Sequence, residues 1–74
     1  MYYVTDTGQA NTLAIVKLDG GVRINTIRIQ GGELDSTPVI MGDRCSFIIK
    51  KGIVRTGLIY KIPQGTFITD FRVG

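Results

Sequence analysis

The segment Met41 to Ile62, MGDRCSFIIKKGIVRTGLIYKI, constrains the fold more than any other part of the chain. Residues 45–50 and 53–62 are rich in β-branched and aromatic types, which suit a pleated, half-buried surface. Gly42-Asp43 and Lys51-Gly52 supply the backbone freedom that reversals need, so the segment predicts a β-hairpin with a second turn in front of it. The flanking sequence follows the same pattern. Tyr2 to Thr5 predicts a short strand stopped by Asp6, Thr7 and Gly8, and Thr12 to Leu18 predicts a second. Asp19-Gly20-Gly21 then predicts a primed two-residue turn into a third strand at Val22 to Ile29.

That third strand changes phase. Val22 and Ile24 fall on one face and Ile27 and Ile29 on the other, so a bulge is expected near Asn25 and Thr26. Gln30 to Thr37 reads as an exposed loop, and Pro38 opens a short edge strand through Val39 and Ile40. Pro63-Gln64-Gly65 turns the chain into a closing strand, Thr66 to Val73. No window sustains the apolar spacing of three and four that an amphipathic helix needs. The expected class is all-β: one domain over residues 1–74, a small barrel or a strongly bent antiparallel sheet of five to seven short strands.

Met41 to Ile62 resembles the hairpin of SH3-like small β-barrels, the KOW and Tudor-like modules included. The matching residues are Ile40 ahead of Gly42-Asp43, then Phe47, the reversal at Gly52, the mid-strand Gly57 and Ile59. Cys45 stands where the pattern usually has a larger aliphatic residue. The resemblance covers that segment alone, and it implies a module that binds nucleic acid, a peptide or a modified side chain. A fainter likeness, in Gly21-Val22, Gly31 and Gly42, is to the ring-forming tryptophan-responsive RNA-binding attenuator proteins. It implies a homo-oligomer, although that family's RNA-contacting Lys and Arg pattern is not recognisable here.

A chain of 74 residues buries only roughly 60% of the surface its unfolded form exposes. Domains this small lean on disulfides, a metal or self-association. With Cys45 the single cysteine and no histidine, an intramolecular disulfide and the ordinary zinc sites are excluded, and no metal or cofactor is expected. Self-association remains. Apolar residues on both faces of one strand, as in Phe47-Ile48-Ile49, Ile53-Val54 and Leu58-Ile59, ask for a second cover. Phe47, Ile48, Ile59 and Ile68 are therefore the expected protein-interface residues. The alternative is a curled barrel whose outer isoleucines face water.

Nine Lys and Arg against six Asp and Glu give a net charge of +3, which suits an anionic partner if the cations cluster. If Val54, Thr56, Leu58, Tyr60 and Ile62 face the core, Arg55 and Lys61 point outward. Lys50 and Lys51 on the preceding strand would join them, and Arg23 or Arg72 would extend the surface if their strands are neighbours. Strand surfaces of this kind bind single-stranded nucleic acid when rings are exposed for base stacking, and Tyr2, Tyr3 and Tyr60 are the candidate rings. Charges that merely blunt sheet edges are the alternative.

The expected function is thus a non-catalytic nucleic-acid-binding module acting through Lys50, Lys51, Arg55, Lys61 and Arg23. Its rival is a protein-binding or self-assembling β module, a homo-oligomer or a viral inhibitor of a host protein. An enzyme is not expected, because no histidine is present to act as a base near neutral pH. Glu33 and Asp35 supply too few oxygens for a hard cation, and Cys45 without a histidine partner reads as a small core residue. The N-terminus lacks a leader's basic and apolar regions, and no apolar run approaches the ~20 residues of a membrane span. A cytoplasmic chain, in the host cell if viral, with no membrane partner, is the expectation.

Overall fold

The computed structural model describes residues 1–73. Among them lie eight strands and no helix: β1 (Tyr2–Asp6), β2 (Thr12–Lys17), β3 (Arg23–Arg28), β4 (Glu33–Leu34), β5 (Val39–Met41), β6 (Arg44–Lys51), β7 (Val54–Lys61) and β8 (Thr66–Val73). β1, β2 and β3 form one antiparallel sheet in that order. The other five form a second antiparallel sheet, in which β4 and β5 lie end to end along β6, followed by β7 and β8.

The central hairpin closes as its glycines dictate. Two residues link β5 to β6 and two link β6 to β7, and in each link the first is a glycine in the left-handed region, Gly42 at φ +63° and Gly52 at φ +61°. Glycine at the first loop position matches the primed turns whose twist suits paired strands. The β2–β3 link departs from the two-residue turn that Asp19-Gly20 predicts. It runs from Leu18 to Val22, closed by the Lys17 N–H donating to the Val22 carbonyl (2.9 Å) and the Gly21 N–H donating to the Lys17 carbonyl (3.1 Å). A second consecutive glycine lets the loop widen before pairing resumes.

Two bulges bend the outer strands. Ile15 pairs with Asn25 but Val16 with Arg23, which leaves Ile24 as the extra residue, one position before the expected phase change. In β8, Ile59 pairs with Thr69 but Tyr60 with Phe67, leaving Ile68 unpaired. The strand beyond the expected five to seven is β4, inside the segment Gln30 to Thr37. Between β4 and β5 the ladder continues by other means: the Asp35 N–H donates to the Ile48 carbonyl (2.7 Å), and the Ile48 N–H donates to Ser36 Oγ (2.8 Å). A side-chain hydroxyl thus stands in for a missing strand carbonyl.

The sheets pack face to face over one apolar layer. Leu13, Ile15, Ile27 and Ile29 come from the first, and Cys45, Phe47, Ile49, Leu58 and Ile62 from the second. They occupy alternate positions, as the pleat requires. Ala14 and Val16 are buried on the opposite face of β2, where their cross-strand neighbours Thr5, Thr26, Tyr3 and Arg23 flank them. The arrangement is open, not the closed barrel that was one expectation. The chain crosses between layers in the links around β4, so no strand bends from one sheet into the other.

At one end a single amide ties the layers together. Asn25, beside the β3 bulge, donates from Nδ2 to the carbonyls of Gln64 (2.6 Å) and Pro63 (3.3 Å) in the β7–β8 turn. Its Oδ1 accepts from the Thr26 N–H (2.9 Å). A net hydrogen bond contributes about 0.5–1.5 kcal/mol, so Asn25→Ala should lower stability by about 1–2 kcal/mol, seen as a lower urea midpoint at unchanged slope.

Burial pushes the Cys45 thiol up to about 11 and also raises the Tyr60 phenol. Both groups ionise more readily in the unfolded chain, so the stability they carry is fully present below about pH 9 and is lost as pH rises towards 11. Melting temperature should fall across that window. The fall should be shallower in Cys45→Ala, when melts at neutral and alkaline pH are compared.

Candidate interaction surface

The register of the second sheet sorts its solvent-facing side chains into rows. Lys50 lies opposite Arg55, Ile48 opposite Gly57, Ser46 opposite Ile59 and Arg44 opposite Lys61. β8 continues these rows with Val73, Phe71, Thr69 and Thr66, while β5 sets Val39 beside Ser46 and Met41 beside Arg44. The face therefore has an apolar middle, built from Ile48, Ile59, Phe71 and Val39, between two cationic ends. Six residues of strand separate the ends, roughly 20 Å at the ~3.4 Å rise of an antiparallel strand.

This geometry divides the cations expected to act together. Lys50 and Arg55 are neighbours, but Glu33 pairs with Lys50 in register, and Arg55 Nε donates to Asp35 Oδ2 at 2.9 Å. An exposed pair of this kind contributes little stability, yet it offsets local positive charge. Lys61 sits at the far end with Arg44. Lys51, one residue beyond Lys50, points to the opposite face because side chains alternate along a strand. Arg23 belongs to the other sheet. No continuous basic surface joins all five.

The expected rings and interface residues are also redistributed. Phe47 is 2% exposed and belongs to the core, because it shares the inward phase of Cys45 and Ile49. Ile48 and Ile59 are half-buried on the solvent face, and Ile68 is exposed at its bulge. Tyr2 packs half-buried against the core, and Tyr3 is exposed on the first sheet. Tyr60 stacks on Phe47 with ring centres 5.6 Å apart and meets Phe67 edge-on at the same separation. Three rings thus run from the core to the surface.

Sequence reasoning missed Phe71, although Gly57 carried its signal. A Cβ at position 57 would collide with the Phe71 ring, so that ring lies directly on bare backbone. An aromatic side chain covering a cross-strand glycine restores packing that the glycine lacks.

The β8 edge also escaped notice. Thr66 to Arg72 are all exposed, with Phe67 at 50%, Ile68 at 39% and Phe71 at 47%. The first sheet is three strands wide and the second four, because β4 and β5 share one position along β6, and β8 overhangs the first sheet. Under the overhang lies a groove of about 650 Å³, lined by Lys51, Thr56, Tyr60, Phe67 and Asp70 with Arg28 from the end of β3. Among the described residues, no group of three or more His, Cys, Asp or Glu is placed to hold a metal ion. Cys45 is sealed in the core with its thiol in the neutral form. What the surface offers is contact: an unpaired strand edge, apolar side chains on both of its faces, and charges at intervals. No protein-family model, curated protein or solved structure matches this chain.

Proposed function

We propose that the chain is a non-catalytic, self-assembling β module that binds a further copy of itself through its five-stranded sheet. One observation carries this reading: β8 is an eight-residue strand at a sheet edge, exposed along nearly its whole length with three large apolar side chains in solvent. Its outer row of N–H and C=O groups is a template for another strand, and long apolar edges are normally shortened, covered or heavily charged. A domain of this size gains most from a partner, and burying one Phe or Ile side chain contributes about 1.5–3 kcal/mol.

The cross-strand cation pairs favour a second reading, in which the solvent face of the same sheet binds nucleic acid. Lys50 with Arg55 and Arg44 with Lys61 would meet phosphates, and Phe71 between them would stack on a base.

Light scattering over a salt series, with and without a pool of short single-stranded RNA and DNA, separates the two. Self-assembly gives at least twice the 8.1 kDa protomer mass at every salt concentration, with no response to nucleic acid. A monomer at high protein concentration overturns it. A mass gain with nucleic acid that fades with salt supports the second reading, the logarithm of affinity falling by about 0.7 per phosphate contact for each log unit of salt. Arg55→Glu with Lys61→Glu would then abolish the gain.

A further inference from the structure

We infer that the strand received by β8 is β8 of a second copy, antiparallel about a two-fold axis at Phe71, so that Asp70 of each protomer lies opposite the partner's Arg72. This rests on the self-assembly reading and assigns the strand and register that carry it.

The register follows from the pleat and from charge. Residues directly opposite each other in a sheet share a face, and a one-residue slip would set inward side chains against outward ones. Two copies of one strand related by a two-fold axis perpendicular to the sheet can therefore pair only with the axis at a residue. From Thr69 to Val73, β8 follows one regular register against β7, so this stretch is straight enough to pair along its free edge. An axis at Asp70 would place carboxylate against carboxylate, and an axis at Arg72 would place guanidinium against guanidinium. Like charges directly opposite are destabilising. An axis at Thr69 drives Asp70 against the Ile68 bulge. At Phe71 the same two charges make two complementary pairs, symmetric about the axis.

The faces agree with this choice. Asp70 and Arg72 pair with Leu58 and Thr56, on the groove side of the sheet, so both ion pairs form on one face. Phe71 pairs with Gly57 on the solvent side, where its ring lies back over that glycine and leaves the free edge of β8 open to the partner strand. Neither Asp70 nor Arg72 forms an ion pair within its own chain among the described residues, whose pairs are Asp43–Arg44 and Asp35–Arg55. The dimer joins two five-stranded sheets into one of ten strands and brings the two grooves to the same face.

The test uses the full chain carrying Cys45→Ala, so that no native thiol competes. The register sets Thr69 opposite the partner's Val73, within the Cα separation that a disulfide spans. An equal mixture of Thr69→Cys and Val73→Cys chains should cross-link on mild oxidation, whereas either variant alone should not. Separately, Asp70→Arg and Arg72→Asp should each weaken the dimer about tenfold by analytical ultracentrifugation. The double exchange in one chain should restore it, as should mixing the two single variants. Far-UV circular dichroism checks that each variant folds. A dimer that forms without the cross-link, or a double exchange no better than the singles, overturns the register and leaves self-assembly standing. A monomeric parent chain overturns both.

Discussion

One layer of side chains holds this molecule together, and its alternation governs what every other residue does. Leu13 and Ile15 on β2 meet Cys45, Phe47 and Ile49 on β6 across the interface between the sheets. Because the pleat has a period of two, fixing those positions inward sends Ser46, Ile48 and Lys50 to solvent. The partners of those residues on β7 then follow by register, and the residues of β8 follow in turn. The rows of the solvent face are thus the reverse side of the core.

The unequal width of the two sheets is the second consequence. The first sheet buries Cys45, Phe47 and Ile49 on β6 and Leu58 on β7, but it leaves the rest of the inner face of β7 partly open and stops short of β8. The overhang makes the groove, exposes Phe67 beside it, and leaves an edge with nothing beyond it among the described residues. Exposed apolar side chains occur on both sheets and their turns, but Phe67, Ile68 and Phe71 lie together along one strand whose outer edge is unpaired among the described residues. An apolar edge of this kind suits a further strand.

Features set by neighbours in sequence were legible beforehand. The glycine turns at Gly42 and Gly52, the irregularity beside Asn25, the closing strand and the absence of helix all depend on a few consecutive residues. Features set by partners distant in sequence were not. β4 exists because β6 passes alongside it and Ser36 supplies a hydroxyl to Ile48, and neither fact is written in Gln30 to Thr37. The cation cluster dissolved for a related reason: Lys50 and Lys51 are adjacent in the chain but on opposite faces, and Arg55 meets Asp35 across a pairing that composition cannot show. Phe47 and Ile48 looked equivalent in an apolar run, although the phase of Cys45 and Ile49 already separated them. Exposure of β8 depends on how many strands the other sheet has, which no local pattern encodes.

The three rings Phe47, Tyr60 and Phe67 give the fold an optical property. With no tryptophan in the chain, near-ultraviolet signals come from three tyrosines and three phenylalanines. Of the tyrosines, Tyr60 is wedged between a core ring and a surface ring. Of the three, it is the tyrosine that contacts other rings among the described residues, so its aromatic circular dichroism is expected to carry coupling to both neighbours. Tyr60 and Phe67 both line the groove, so whatever settles there touches the tyrosine itself and a ring packed against it. The chain therefore carries its own chromophore linking the groove to the interior, and occupation of the groove is visible without any label.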